Sequence, residues 1–227
     1  MRVRQLHRWD LSPSEAIEVQ NELSRIVSTV NDVGIVERVA GVDTSVRGDQ
    51  MRAAVVILSF PDFDLFEVSV AERKPPFPYV PGLLSFREAP AVLDAFERIR
   101  VEPDLIMVDG QGIAHPRRFG IAAHVGVILD KPTIGVAKSR LVGRHDEVDA
   151  EPGSTACLYD DSDIIGIALR TRARSRPIYV SVGHKLDLET SLHYVLSSLR
   201  GHRLPEPIRQ AHLTAGSAAG PRHDVLR

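Results

Sequence analysis

The chain has 227 residues, of which 43% are hydrophobic and 26% are charged. This composition suits one globular domain with a full core, which we place at residues 1–213, with a disordered tail at 214–227. Cys157 is the only cysteine, so an intrachain disulfide is excluded and a cytoplasmic location is expected. The formal net charge of −2 disfavours a strongly basic, non-specific nucleic-acid binder.

The chain shows no sign of membrane insertion or export. No apolar segment is long enough to span a bilayer, so we expect no membrane partner. The first ten residues, Met1 to Asp10, lack the apolar core of a signal peptide.

The first predicted elements are a helix and three antiparallel strands. Ser12-Pro13-Ser14-Glu15 has the form of a capping box with proline at the first helical position. Apolar residues at helical spacing then continue to Val30. Three strand patterns follow at residues 35–46, 51–60 and 64–72, and the turn 47–50 joins the first two as a hairpin.

Helices and strands alternate along the rest of the chain. The proline-rich segment 75–82 predicts a stiff, exposed loop, and helical spacing resumes near Leu83 with Pro90 as a point of interruption. This alternation predicts a mixed sheet with parallel parts. The predicted strands cover residues 104–109, 133–137, 155–160, 164–170 and 177–182, and the predicted helices cover 119–129, 187–199 and 205–213.

Three acids stand at unusual positions. Asp43 and Asp109 each end an apolar strand pattern, and Glu88 follows the proline-rich loop. An unpaired buried ion is costly, and hard divalent cations are natural partners for carboxylate oxygens. Two cations roughly 3.5–4 Å apart can clamp the attacking and leaving oxygens of a phosphodiester. The three acids therefore indicate a metal-dependent nuclease.

The order of the elements resembles the ribonuclease-H-like fold. This is an α/β fold whose mixed sheet has three antiparallel strands, then parallel strands, with helices on its flanks. Its first and fourth strands lie side by side. The resemblance implies that Asp43 and Asp109 meet although they are distant in sequence, and that Glu88 reaches them from a helix.

The glycines after Asp109 allow a competing interpretation. Gly110 and Gly112 follow a strand, and Asp130 stands where a ribose-binding acid would be in a dinucleotide site. However, His115 occupies the third glycine position and Pro116 follows it. Because the residue before a proline disfavours helix, the required strand-to-helix entry is lost. A nucleotide-cofactor enzyme is therefore a weak alternative, and we expect no organic cofactor.

Several separate motifs, in one order, resemble the endonuclease V family, which acts on deaminated bases in DNA, chiefly deoxyinosine. The resemblance extends from about Val39 to His212. It implies a DNA repair endonuclease that nicks at the second phosphodiester 3′ to the lesion and leaves a 3′-hydroxyl and a 5′-phosphate. The motifs are residues 78–82, 86–88, 109–120, 135–139, 180–184 and 205–212.

The resemblance also implies roles for individual residues. Asp43, Glu88 and Asp109 would bind catalytic Mg²⁺, with Mn²⁺ as a substitute. Lys138 ends a buried strand and would hold the scissile phosphate or orient the water. The catalytic set is completed by His115, near the phosphate, and His212, on the metal side. Each of these three residues has an ordinary alternative: a surface lysine, a loop histidine bonded to backbone, and a helix-face histidine.

The remaining predicted site residues contact nucleic acid. Tyr79, on the stiff loop, would act as a wedge that separates bases around an extruded nucleotide. Main-chain groups of a snug pocket would bind hypoxanthine and exclude the 2-amino group of guanine. The pocket residues are Gly82, Leu84, Gly110, Gly112, Gly120 and Ile121, and the phosphate contacts are Arg117, Arg118 and Arg140.

Two further alternatives stay open at this point. The same site could act on inosine-containing RNA, because the contact to the 2′-hydroxyl that decides this cannot be read from sequence. The chain could also be a non-catalytic binder of damaged DNA, which would have no need for clustered acids near phosphate.

Overall fold

A computed structural model describes residues 1–217 and 223–225 of the chain. A short 3-10 turn, Ser24–Ile26, follows the first helix. In chain order the helices and strands are α1 (Pro13–Leu23), β1 (Arg38–Arg47), β2 (Gln50–Ser59), β3 (Leu65–Arg73), α2 (Leu84–Glu97), β4 (Leu105–Asp109), α3 (Ile121–Leu129), β5 (Thr133–Ala137), β6 (Thr155–Asp160), β7 (Asp163–Leu169), β8 (Ile178–His184), α4 (Leu188–Ser197), α5 (Glu206–Gly216) and β9 (His223–Val225).

Among the described residues, nine strands form one mixed sheet in the order β6-β7-β8-β5-β4-β1-β2-β3-β9. β1 pairs antiparallel with β2 and parallel with β4, and β4 is in turn parallel to β5. β8 and β7 extend the sheet on the β5 side as antiparallel strands. The sheet has the ribonuclease-H-like layout that was predicted, and the predicted pairing of the first and fourth strands is confirmed.

Helices cover both faces of the sheet, which explains why its central strands are apolar on both sides. α2 and α3 pack on one face, and α4 and α5 pack on the other. No helix of the described residues is both long and apolar enough to cross a lipid bilayer. The first core cluster includes Val42, Val55, Phe96 and Val125, and the second includes Val39, Met107, Val195 and Ile208.

The first helix is shorter than its apolar spacing predicts. Its capping box forms, but α1 ends at Leu23 instead of continuing to Val30. The backbone of Ser28 bonds to the end of β8 instead. Its N–H donates to His184 Nδ1 at 3.1 Å, and its carbonyl accepts from the Lys185 N–H at 2.7 Å. These tertiary hydrogen bonds replace those of a further helical turn, so the predicted continuation is wrong.

The apolar run before Asp43 ends at Val42, but the first strand continues past Asp43 to Arg47, close to the predicted end at residue 46. Asp43 is opposite Ala54 of β2, inside the antiparallel ladder. The parallel pairing of β1 with β4 stops at Val42 and Val108. Asp43 and Asp109 are the next residues along the two strands, so the register itself brings the acids together.

Pro90 does not interrupt α2, which continues to Glu97. A proline inside a helix removes one backbone hydrogen bond. However, Ala89, Ala91 and Val92 around it are fully buried against the sheet. This packing holds the helix together across the proline.

The C-terminal helix extends beyond the predicted domain boundary. α5 continues to Gly216, and His223–Val225 pairs antiparallel with β3. Ala215 is buried, and its carbonyl accepts a hydrogen bond from Ser45 Oγ at 2.7 Å. The predicted start of the tail at 214 is therefore too early, and the rest of that tail, residues 218–222 and 226–227, lies outside the described residues.

α5 lies in very close contact with β1 at Gly41. A Cβ atom at Gly41 would lie 1.9 Å from the carbonyl oxygen of Pro207, a backbone atom at the start of α5. A residue larger than glycine would therefore push the whole helix away from the strand. Because α5 also carries His212, this contact sets the position of that side chain relative to Asp43.

We expect Gly41→Ala to lower the free energy of unfolding by roughly 1–3 kcal/mol, because overpacking forces a backbone shift. Thermal unfolding measures the effect. Gly34→Ala is the matched control, since a Cβ atom at Gly34 would have nothing within 4 Å. Equal melting temperatures for the two variants would contradict the close contact of α5 with β1.

Candidate metal centre and adjoining pocket

Three side chains suited to metal binding converge at the end of the parallel strands. One ligand atom from each of Asp43, Asp109 and His212 lies within 4.8 Å of the other two. His212 Nδ1 lies 2.6 Å from Asp43 Oδ2. The two carboxylates are buried, with side chains 8% and 10% exposed, whereas that of His212 is 55% exposed. β1, β4 and α5 thus form a small acidic site that is open on the histidine side.

Lys138 places a positive charge against this site, next to the end of β5. Its Nζ lies 2.5 Å from Asp109 Oδ2 and 3.8 Å from Asp43 Oδ2. The same ammonium lies 3.4 Å from His212 Nδ1. Lys138 is therefore a counter-ion to both acids, and it belongs to the site as predicted from sequence.

Glu88 approaches the acids from the α2 side of the sheet. Its carboxyl group is hydrogen-bonded to the side chain of Thr44, a residue that the sequence reasoning missed. Because side chains alternate along β1, Thr44 faces α2 while Asp43 faces α5. Burial, together with the charges of Asp43 and Asp109, raises the pKa of Glu88 from its ordinary value to about 7.

The site carries more negative than positive charge when its carboxyl groups are ionised. Burial and the charge of Asp43 raise the pKa of Asp109 to about 6, although Lys138 opposes the shift. One ammonium does not neutralise three neighbouring carboxyl groups. Buried carboxylate oxygens with one imidazole nitrogen are a donor set that fits a divalent cation. Asp43, Asp109 and His212 therefore suit a metal ion, whereas Glu88, the third metal ligand predicted from sequence, lies outside this group.

A cavity of about 290 Å³ adjoins the acids. Its walls are the proline-rich loop, the loop after Asp109, and the segment 137–141. Tyr79 stands at its edge and is 70% exposed. Asp109 and Lys138 line both the cavity and the metal site, so the two are continuous. Of the predicted pocket residues, the cavity is lined by Gly82, Leu84, Gly110, Gly120 and Ile121.

Gly112 is the predicted pocket residue that lies elsewhere. Its N–H donates to Ser181 Oγ at 2.9 Å. A Cβ atom at Gly112 would lie 1.9 Å from the carbonyl oxygen of Val182. Glycine is therefore needed here for close packing of the loop on β8, behind the cavity wall.

A group of donors fixes the cavity wall at Gly82, which has a φ of +77°. Within the described part of the chain, the Gly82 carbonyl oxygen accepts hydrogen bonds from three side chains. The donors are Gln20 Nε2 at 3.0 Å, His115 Nε2 at 2.9 Å and Arg117 Nη2 at 2.8 Å. We call Gln20, His115 and Arg117 the Gly82 clamp. It holds the turn that joins the Tyr79 loop to α2.

Gln20 was missed by the sequence reasoning, although its position carried a signal. It is 1% exposed, and it follows Ala16 by four residues and precedes Leu23 by three, so it lies on the buried face of α1. A polar side chain on an apolar helix face needs hydrogen-bond partners. Gln20 finds them in Gly82, Arg117 and the carbonyl of Phe119.

His115 belongs to the cavity wall and is not one of the three possible metal ligands. Its Nδ1 accepts from the Arg117 N–H at 3.1 Å, so Nε2 carries the proton that is donated to Gly82. Burial lowers the pKa of His115 to about 4, which keeps the ring neutral. Both ring nitrogens are occupied, which matches the alternative of a loop histidine bonded to backbone and leaves neither free for a phosphate.

The three arginines predicted to contact phosphate have different environments. Arg117 donates from Nε to Gln20 Oε1 at 2.5 Å as well as to Gly82. Arg118 donates to the carbonyl of His115 at 3.0 Å and to Asp160 Oδ2 at 2.7 Å. Arg140 is exposed at the cavity edge and forms no ion pair with any described residue. Of these guanidinium groups, Arg140 is thus the one that faces solvent unpaired.

The raised pKa values predict how Glu88 affects stability. Between pH 4.5 and about 7 the folded, metal-free protein holds a proton on Glu88 that the unfolded chain releases. Stability therefore falls as the pH rises through this window, by an amount on the order of 3 kcal/mol. Glu88→Gln stays neutral, so we expect it to gain stability relative to wild type as the pH rises.

Urea denaturation in EDTA at pH 4.5 to 8 measures this difference. Glu97→Gln, at an exposed position of the same helix, is the matched control. A difference between wild type and Glu88→Gln that did not change with pH would show that Glu88 is ionised throughout.

The Gly82 clamp predicts a local effect of Gln20. We expect Gln20→Leu to destabilise the protein by roughly 1–3 kcal/mol, because Arg117 Nε and two carbonyl groups lose a buried partner. Amide hydrogen exchange of residues 79–86 should accelerate, since the wall of the cavity is then less restrained. Asn21→Leu, at an exposed position of α1, is the control. Unchanged exchange in Gln20→Leu would mean that Gln20 does not restrain this wall.

Comparison with known proteins supports the identification made from the motifs. Residues 20–213 match the sequence model of the Endonuclease V family. An endonuclease V of Dehalococcoides mccartyi is 50% identical over 217 residues, which cover 95% of this chain and 97% of that protein. The crystal structure of endonuclease V from Streptomyces avermitilis is 39% identical, with a TM-score of 0.86 over 95% of this chain and 96% of that one.

A third similar protein has been solved with nucleic acid. Endonuclease V of Ciona intestinalis, in complex with a 23-mer DNA containing an inosine followed by a ribo-adenosine, is 26% identical. Its TM-score is 0.80, over 90% of this chain and 97% of that one. The agreement in sequence over nearly the whole chain and in fold shows that this chain is a member of the endonuclease V family.

Proposed function

We propose that this chain is a divalent-metal-dependent endodeoxyribonuclease of DNA repair that nicks the strand containing deoxyinosine. The observation that carries the proposal is the continuity of the acidic site with the adjoining cavity. Asp109 and Lys138 line both, so a base held in the cavity keeps its own strand next to the acids. A site for a base and a site for a phosphate thus share one wall.

Asp43, Glu88 and Asp109 would hold Mg²⁺, or Mn²⁺ in its place, with His212 beside them. When bound, the cations supply the Lewis-acid charge of two-metal phosphodiester hydrolysis, which leaves a 3′-hydroxyl and a 5′-phosphate. The protein preorganises this charge, because the register of β1 and β4 fixes both aspartates before any substrate arrives. Lys138 contributes an ammonium that can bind a phosphate oxygen at the same edge.

The cavity would select hypoxanthine by its shape and by its backbone groups. Gly82, Gly110 and Gly120 line it, where the chain can approach a planar base closely, and backbone groups of these walls would pair with the lactam edge of the base. The Gly82 clamp keeps this wall rigid, so the 2-amino group of guanine would not be accommodated. Tyr79, exposed on the stiff loop, would fill the space left by the extruded nucleotide. The family resemblance implies that the cut would fall at the second phosphodiester on the 3′ side of the bound base.

The main alternative function concerns the substrate, which would be RNA instead of DNA. The Ciona intestinalis complex contains an inosine followed by a ribonucleotide within DNA, so that relative accommodates a 2′-hydroxyl next to inosine. An inosine-specific endoribonuclease with the same site is therefore the second candidate function. A nucleotide-cofactor enzyme is disfavoured, because no helix follows Gly110 and Gly112 directly: α3 begins only at Ile121.

Strand cleavage tests the proposal directly. The substrates are an end-labelled duplex with one deoxyinosine and a matched RNA with one inosine, each assayed with Mg²⁺ and with EDTA. We expect a Mg²⁺-dependent nick one nucleotide beyond the DNA lesion. Asp109→Ala should reduce the rate by roughly 1,000-fold or more while binding persists, because several kcal/mol of charge stabilisation are lost.

Asp62→Asn is the control, since this exposed carboxylate lies in the turn between β2 and β3. Cleavage of the RNA alone would move the function to RNA metabolism. Tight binding without cleavage of either polymer would leave a non-catalytic binder of damaged DNA. Wild-type rates for Asp109→Ala would contradict the metal assignment.

A further inference from the structure

A turn rich in arginine emerges at the same edge of the sheet as the acids. This arginine turn, residues 171–177, connects β7 to β8. β8 is antiparallel to β5, with Tyr179 opposite Ala137, so the start of β8 lies beside the end of β5 that leads into Lys138. Neighbouring strands are about 4.8 Å apart, which places the turn within roughly 10 Å of the β5 end.

Arg203 links the arginine turn to the catalytic edge. Its Nη2 donates to the carbonyl of Lys138 at 2.7 Å and to that of Pro177 at 3.2 Å. Its Nε donates to the carbonyl of Arg176 at 3.1 Å. One guanidinium thus fastens the turn to the backbone of the lysine that contacts both acids.

Arg170 braces the turn from its other end. Its guanidinium donates to the carbonyls of Asp149 at 3.0 Å and Val148 at 2.7 Å, and also to that of Ser175. Ser175 Oγ donates to the carbonyl of Arg172 at 2.7 Å. The donors of Arg170 are therefore used in hydrogen bonds within the protein. These bonds hold the turn in a fixed shape.

The other arginines of the turn are free cations. Arg172, Arg174 and Arg176 are exposed, and none forms an ion pair with a described residue. Elsewhere the protein pairs many of its arginines with acids, for example Arg73 with Asp94. The braced turn thus presents three guanidinium groups that no acid of the described residues neutralises, although the acidic segment 146–151 lies next to it, in contact with Arg170.

We propose that Arg172, Arg174 and Arg176 bind the sugar–phosphate backbone of the substrate strand next to the scissile phosphate. The inference rests on the proposed function and extends it to the path of the nucleic acid. Guanidinium groups suit phosphate oxygens in charge and geometry. Arg140, which is exposed and lines the cavity, adds a further guanidinium group to the cavity side of the site. Such contacts position the strand and carry no information about its bases.

The salt dependence of binding tests this role. Each phosphate contact adds about 0.9 to the slope of log affinity against log salt on duplex DNA. We expect the triple variant R172Q/R174Q/R176Q to lower that slope by roughly 2 to 3, measured by fluorescence anisotropy in EDTA with a deoxyinosine duplex. The ratio of affinities for deoxyinosine and undamaged duplexes should stay the same, since the contacts do not read bases.

Two further variants make the result specific. R172K/R174K/R176K keeps the positive charges, so it should retain most of the wild-type slope. Arg100→Gln removes an equally exposed arginine that precedes β4, at the opposite edge of the sheet from the acids. It should leave the slope unchanged. Thermal unfolding of each variant checks that the fold is intact.

The outcomes separate this inference from the proposed function. Wild-type protein that neither binds nor cuts inosine-containing polymers would overturn the proposed function. Wild-type protein that cuts, with the same salt slope in the triple glutamine variant, would overturn the arginine inference alone. A loss of inosine discrimination with no change in slope would also overturn it, because the turn would then act on base recognition.

Discussion

The repulsion between two buried carboxylates is the constraint on which the rest of this structure depends. Pairing of β1 with β4 ends at Val42 and Val108, and the next residue of each strand is an aspartate. Neither acid can move away, because each is part of a strand packed on both faces. The raised pKa of Asp109 expresses this repulsion in addition to burial. Other parts of the fold either offset this charge or hold it in place.

The compensation comes from elements that are distant in sequence. Lys138 follows β5 and lies 2.5 Å from Asp109, while His212 arrives from α5 and bonds to Asp43. α5 can reach that position because Gly41 lets it lie directly on β1. The stability stored in the two-sided core is thus used to keep an unfavourable arrangement of charge, which is what a site for cations requires.

Much of this arrangement follows from local sequence patterns. The apolar runs before Asp43 and Asp109 predict buried strands, and the resemblance to the ribonuclease-H-like fold implies that the two acids meet. Contacts that depend on tertiary packing were not predictable in the same way. α1 was expected to reach Val30, because periodicity does not show that Ser28 bonds to β8. Arginine and histidine are residue types that often contact phosphate, so Arg117 and His115 were predicted to do so. Both instead donate hydrogen bonds to the Gly82 carbonyl inside the protein.

The same distinction between composition and placement applies to charge. A net charge of −2 suggests little affinity for nucleic acid. However, this total adds the charges of buried acids to those of exposed arginines, which have different roles. The acids of the proposed metal site are buried at one edge of the sheet, where bound cations would reverse the sign of the local charge. Arginines that face solvent near that edge, Arg140 and those of the arginine turn, keep their charge unpaired. Electrostatic attraction acts over about a Debye length, roughly 8–10 Å, so a phosphate at this edge responds to these local groups rather than to the total.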